Sequence, residues 1–158
     1  MKKLLIPIIL IFLISASCAS ANEDQIIRGV KNILPQGWSV EIDKNISNLV
    51  GLEKALFQLS FKNENEYLIR EVTPNKQVKF NPSLKLLFYD IKNKEEISKA
   101  IKKTEMMSSN IPIYYSETKE YMILTSPGYI NGGVYTKEAK ALIEPLDKAL
   151  VAYFSSLK

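Results

Sequence analysis

Leu84-Lys85-Leu86-Leu87-Phe88-Tyr89-Asp90-Ile91 is the stretch on which the fold turns. It is apolar at successive positions as well as alternate ones, so both of its faces need cover. Eight residues is strand length rather than helix length. The stretch therefore reads as a strand central in a sheet, with something packed on each side of it.

Downstream, Asn93 can cap a helix, with Glu96 as its capping-box partner. Ile97, Ala100, Ile101 and Thr104 form one stripe of that helix, and Lys99, Lys102 and Lys103 lie on its polar side. Met106 and Met107 end it as packing fillers, and Ser108-Ser109-Asn110 stops it. Pro112 precedes a strand, Ile113-Tyr114-Tyr115. Glu117 to Glu120 turn, and Tyr121 to Thr125 return as its antiparallel partner. The strand at 84–91, the helix and the strand at 113–115 fit one right-handed crossover. Residues 126–135, Ser-Pro-Gly-Tyr-Ile-Asn-Gly-Gly-Val-Tyr, read as a loop. Thr136 then caps a last helical region with Glu138 in its first turn. Ala139, Leu142, Ile143, Leu146, Ala149, Leu150, Tyr153 and Phe154 hold helical spacing. Pro145 inside that run predicts a kink or two consecutive helices.

Upstream, Ile26, Ile27, Val30, Ile33 and Leu34 predict a short helix over 22–34, closed by Pro35-Gln36-Gly37. Trp38, Val40 and Ile42 alternate with Ser39, Glu41 and Asp43, as a half-buried strand does. Trp38 is expected to anchor the core. Ala55, Phe57, Leu59 and Phe61 alternate with Leu56, Gln58, Ser60 and Lys62 in a second strand. Asn63 to Glu66 turn, and Tyr67 to Val72 predict a third strand. Residues 73–82 read as a loop ending at Pro82. This order predicts an α+β fold: a mainly antiparallel sheet of about five or six strands, with helices at the N-terminus, middle and C-terminus.

The first 21 residues have the anatomy of a secretory signal peptide. Lys2 and Lys3 are followed by an apolar run, Leu4 to Ile14, and by the small-residue site Ala19-Ser20-Ala21. Asn22 then opens a polar chain. Cleavage after Ala21 leaves a single domain of 137 residues, Asn22 to Lys158, with 19 basic and 17 acidic side chains. That length can bury a sizeable core. Ile14-Ser15-Ala16-Ser17-Cys18 resembles the lipobox of bacterial lipoproteins, with Ser15 where that pattern prefers leucine. The resemblance implies the alternative of Cys18 as a lipid-attached first residue. In both cases no thiol is left for a disulfide, and no mature segment is apolar enough for a membrane span. Lys102-Lys103 is the one basic pair in 22–158, which is no footprint for nucleic acid.

The chain has no histidine. That excludes Ser-His-Asp and Cys-His catalysis and histidine-ligated zinc. No metal site and no cofactor are implied. Acid–base chemistry falls to carboxylates, Lys or Tyr. Glu41 and Asp43, two apart on one strand face, lie about 6.6 Å apart along the chain, a spacing that resembles the carboxylate pair of inverting glycosidases. Charged residues are also what the solvent face of a strand ordinarily carries. Ser116-Glu117-Thr118-Lys119 resembles the Ser-x-x-Lys string of penicillin-binding enzymes, but it falls in a hairpin turn rather than at a helix start.

Residues 127–136 join a strand to a helix through Gly128, Gly132 and Gly133. Backbone N–H groups in such a segment can hold an anion; a hairpin around Asn131-Gly132 is the plain alternative. Tyr114, Tyr115, Tyr121, Tyr129 and Tyr135 crowd the same region, and tyrosine suits contact surfaces as well as strands. The sequence thus leads to an exported cell-envelope protein, periplasmic or extracellular, with a non-catalytic binding domain. Its expected partner is an envelope protein, a glycan or a small molecule. The contact surface is placed on 113–135, with Tyr129, Asn131, Gly132, Gly133 and Tyr135 as the binding residues. A carboxylate-based hydrolase on Glu41 and Asp43, and a carrier of small anions on the 127–136 segment, are the alternatives.

Overall fold

A computed structural model describes residues 22–44, 46, 55–70, 76–107, 114–127 and 137–157. Helix α1 covers residues 22–31. Strands β1 (Trp38–Ile42), β2 (Phe57–Asn63), β3 (Tyr67–Arg70), β4 (Gln77–Phe80) and β5 (Ser83–Asp90) follow, then α2 (Lys94–Met107), β6 (Tyr114–Glu117), β7 (Tyr121–Pro127) and α3 (Lys137–Ser155). The fold is α+β. Five strands form a sheet in the order β1-β2-β5-β7-β6, and β3 and β4 form a separate pair. Every neighbouring pair is antiparallel.

β5 is the central strand, between β2 and β7. Its doubled apolar pattern is the reason. Leu84, Leu86 and Phe88 face one core, and Leu87 and Tyr89 face another on the opposite side of the sheet. The first core is closed by α1 through Ile26 and Val30, and by α3 through Ala139, Ile143, Leu146, Leu150 and Phe154. Ile69 and Phe80 bring the β3–β4 hairpin into it, and Trp38 is buried there. The second core is closed by α2 through Ile97 and Ile101. Two antiparallel steps, from β5 to β7 and from β7 to β6, leave β5 and β6 parallel with β7 between them. The crossover through α2 therefore skips one strand.

At four places the structure corrects or refines the local reading. Residues 73–82 are not simply a loop, because Gln77–Phe80 is strand β4, zipped to β3 from Tyr67↔Phe80 to Arg70↔Gln77. Gln58 and Ser60, on the polar side of β2, are buried, at 0% and 5% exposure. The cap before α2 is made by Asp90 rather than Asn93: its carboxylate accepts from the Lys92 N–H at 2.9 Å and starts a 3-10 turn, Ile91–Asn93, that leads into the helix. Finally, α3 is one helix running through Pro145. Proline removes one donor, to the carbonyl four residues earlier. Both Pro145 and Ala141 are exposed, so water can serve that carbonyl.

Trp38 follows a turn in which Gly37 has φ +83°. A side chain there would be strained, and its Cβ would stand 2.9 Å from the Asn65 amide nitrogen. The Trp38 N–H donates to the Pro35 carbonyl at 3.2 Å, and the Glu64 N–H to the Gly37 carbonyl at 2.8 Å. These bonds lock the entry to β1 onto the exit from β2. Among the described residues, no helix is long and apolar enough to cross a membrane.

Candidate functional site

A cleft of about 200 Å³ opens where three distant parts of the chain meet. The start of α1 supplies Asn22, Gln25 and Ile26; the β6–β7 turn supplies Thr118, Lys119, Glu120 and Tyr121; and the end of α3 supplies Tyr153, Phe154 and Leu157. Its volume lies below the roughly 300–1,000 Å³ of pockets for drug-sized ligands. It suits a single side chain or a small organic group.

The turn is held rigidly. The Thr118 hydroxyl oxygen accepts from the N–H groups of Tyr121 at 2.9 Å and Glu120 at 3.3 Å. The Thr118 N–H donates to the Tyr121 carbonyl at 2.9 Å, and the Ile91 N–H to the Glu120 carbonyl at 2.9 Å. Glu120 thereby stands beside the first turn of α1, where the Asn22 side-chain amide donates to its carboxylate. The same amide reaches the Tyr121 hydroxyl at 3.2 Å.

The cleft floor carries the rings of Tyr121, Tyr153 and Phe154, which continue into an aromatic cluster of the core. Phe57 stacks on Phe88 with ring centres 4.2 Å apart. Tyr121 meets both rings edge-on at 5.7 Å. Phe154 meets Phe88 at 5.7 Å, and Tyr153 meets Phe154 at 5.1 Å. Gly29 makes room for Tyr153, since a Cβ there would lie 1.9 Å from the phenol oxygen. Burial pushes the Tyr121 phenol above its usual range, and the Glu120 carboxylate adds to the shift; Glu23 and Asp90 act in the same direction, and the Asn22 hydrogen bond acts against it. Burial also raises the Tyr153 phenol.

The carboxylates singled out in the sequence lie away from this cleft. Glu41 pairs with Lys62 at 3.2 Å, and both side chains are more than 60% exposed. Asp43 accepts from the Gln58 amide at 2.8 Å and from the Ser60 hydroxyl at 2.9 Å. Its N–H donates to the Gln58 carbonyl at 2.9 Å. This buried polar cluster extends the β1–β2 pairing past Ile42. Glu117 is held by Lys94 at 2.7 Å. Ser116 ends up in β6 and Lys119 in the turn beyond it, so the Ser-x-x-Lys string has no helix beneath it. Tyr129, Asn131, Gly132, Gly133 and Tyr135 lie outside the described residues, as does Cys18. Among the described residues, no group of three or more His, Cys, Asp or Glu side chains is placed to hold a metal ion.

Sequence reasoning did not find the cleft, because its lining comes from residues 22–26, 118–121 and 153–157. The one available signal was the Thr118–Tyr121 turn, which lies inside the segment read as a contact surface. No family model matches the chain, and neither a curated protein nor a solved structure matches it.

Proposed function

We propose that the chain is an exported cell-envelope protein whose folded domain binds a partner rather than turning over a substrate. The observation that carries the binding half is the cleft between α1, the β6–β7 turn and α3. Its floor is aromatic and its rim offers amide, hydroxyl and carboxylate groups, a composition that suits recognition. The carboxylates nearest to a catalytic pair, Glu41 and Asp43, are engaged with Lys62 and with Gln58 and Ser60. Export is supported by the order of the N-terminal segment: Lys2-Lys3, an apolar run, Ala19-Ser20-Ala21, and then the polar start of α1 at Asn22. The protein works in the periplasm or outside the cell, free or tethered through Cys18. Its partner is an envelope protein, a glycan or a small molecule, and Tyr129, Asn131, Gly132, Gly133 and Tyr135 are the further binding residues that the sequence offers.

Site-specific photocrosslinking in intact cells tests this reading. A photoreactive side chain is placed at Leu157 on the cleft rim and, in separate chains, at Tyr129 and Tyr135. A discrete adduct with one envelope component from position 157 is expected, together with an adduct to the same component from at least one tyrosine position. No adduct from any of the three, with the chain folded and abundant, defeats the binding reading.

A further inference from the structure

We propose that the β6–β7 turn holds the chain's own first amino group: after residues 1–21 are removed, the α-ammonium of Asn22 sits against the Glu120 carboxylate at the mouth of the cleft. The inference rests on the reading of Asn22 as the first residue of the exported chain. Hydrolysis of the Ala21–Asn22 peptide bond by a signal peptidase consumes one water. It leaves a carboxylate on Ala21 and an amine, protonated near neutral pH, on Asn22.

Three observations converge on that amine. The Asn22 side chain already touches both Glu120 and the Tyr121 hydroxyl, so the backbone nitrogen of the same residue lies within Coulombic range of the carboxylate. Glu120 is fixed in place by the Thr118 turn and by the Ile91 N–H. The third is the helix itself. A positive charge at a helix N-terminus opposes the helix dipole and needs nearby anions. Glu23 and Asp24 stand on the first turn of α1, and Glu120 supplies a third carboxylate from a different element. The other groups facing this point are Lys119 and Tyr121 from the hairpin, Asp90 from the end of β5, and Tyr153 from α3. Among the described residues facing it, carboxylates outnumber the single lysine, Lys119, which leaves room for one more cation.

The uncleaved chain has a neutral amide at that position. Processing therefore changes the electrostatics of the cleft rim: it places a positive charge against the Glu120 carboxylate.

The test uses the protein recovered from cells that export it, with its first residue read by intact mass. The acylation rate of the Asn22 amine is followed against pH, with the lysines as internal reference, in the native chain and in Glu120→Gln. Glutamine keeps the oxygen that accepts from the Asn22 amide and removes only the charge. In the native chain the amine is expected to titrate above the ordinary α-amino range of about 7.7–8.0. Glu120→Gln is expected to speed its acylation at pH 7 by about two- to fivefold. A native amine that titrates inside the ordinary range overturns the pairing, as do equal rates in the two chains. A first residue other than Asn22 also overturns it, and only that outcome removes the cleavage reading as well.

Discussion

The two faces of the central sheet are built from the same strands and differ in kind. The face under α1 and α3 is hydrocarbon and aromatic from Trp38 to Phe154, with Phe88 touching three other rings. The face under α2 is smaller, and it passes from Leu87, Met122 and Ile97 to a hydrogen-bonded cluster of Asp43, Gln58 and Ser60. It also buries the Tyr89 hydroxyl, which has no hydrogen-bond partner among the described residues. Interlocked apolar packing resists loss of volume. A buried polar cluster resists loss of one partner far more than loss of both. The two faces should therefore respond to different kinds of substitution.

The largest effect is expected on the first face. Phe88→Ala removes a fully buried ring from the centre of the aromatic cluster and should lower the unfolding free energy by about 3–5 kcal/mol, read by urea denaturation. An effect below that of a surface substitution would break the contrast. On the second face, Asp43→Ala removes the carboxylate that accepts from both the buried Gln58 amide and the Ser60 hydroxyl and should cost about 1–3 kcal/mol. Asp43→Asn, which keeps an accepting oxygen, should cost less. Equal losses would show that charge, not hydrogen bonding, holds the cluster. Tyr89→Phe removes a buried hydroxyl that has no partner among the described residues, and a gain of about 1 kcal/mol in the same denaturation assay sharpens the comparison.

The smallest effect concerns α3. Burial, reinforced by Glu144 and opposed by Lys140, holds the Asp147 carboxyl above its ordinary range, and its Oδ1 has no hydrogen-bond partner among the described residues. The folded chain therefore binds a proton there more readily than the unfolded one. Asp147 takes away stability as pH rises from the ordinary carboxylate range through the folded value, and the loss persists above it. Asp147→Asn should stabilise the protein at pH 7, and the gain should vanish in acid below the ordinary carboxylate range. Thermal melts of both chains across that window check the sign.

The same contrast explains what the sequence revealed. β5 was legible because a strand apolar on both faces has only one comfortable place, the middle of a covered sheet. The stripes of α2 and α3 were legible because helical spacing is local. β4 was not: four residues between Pro74 and Pro82 carry only Val78 and Phe80 as alternation, and their strand form depends on pairing with β3. The burial of Gln58 and Ser60 was hidden for a related reason, since the carboxylate that accepts from both comes from Asp43, just past the end of β1. Asp90 and Asn93 are both capping residue types, and only the 3-10 turn at the strand end distinguishes them. The cleft was the least legible feature, because no local pattern joins Asn22 to Glu120 and Leu157.

The central claim is that this domain works outside the cytoplasm with Asn22 as its first residue. Intact-mass measurement on the protein from separated cytoplasmic and envelope fractions tests that most directly. A chain of residues 22–158 with a free amine is expected in the envelope or periplasmic fraction. A chain still carrying residues 1–21 and confined to the cytoplasm would contradict it.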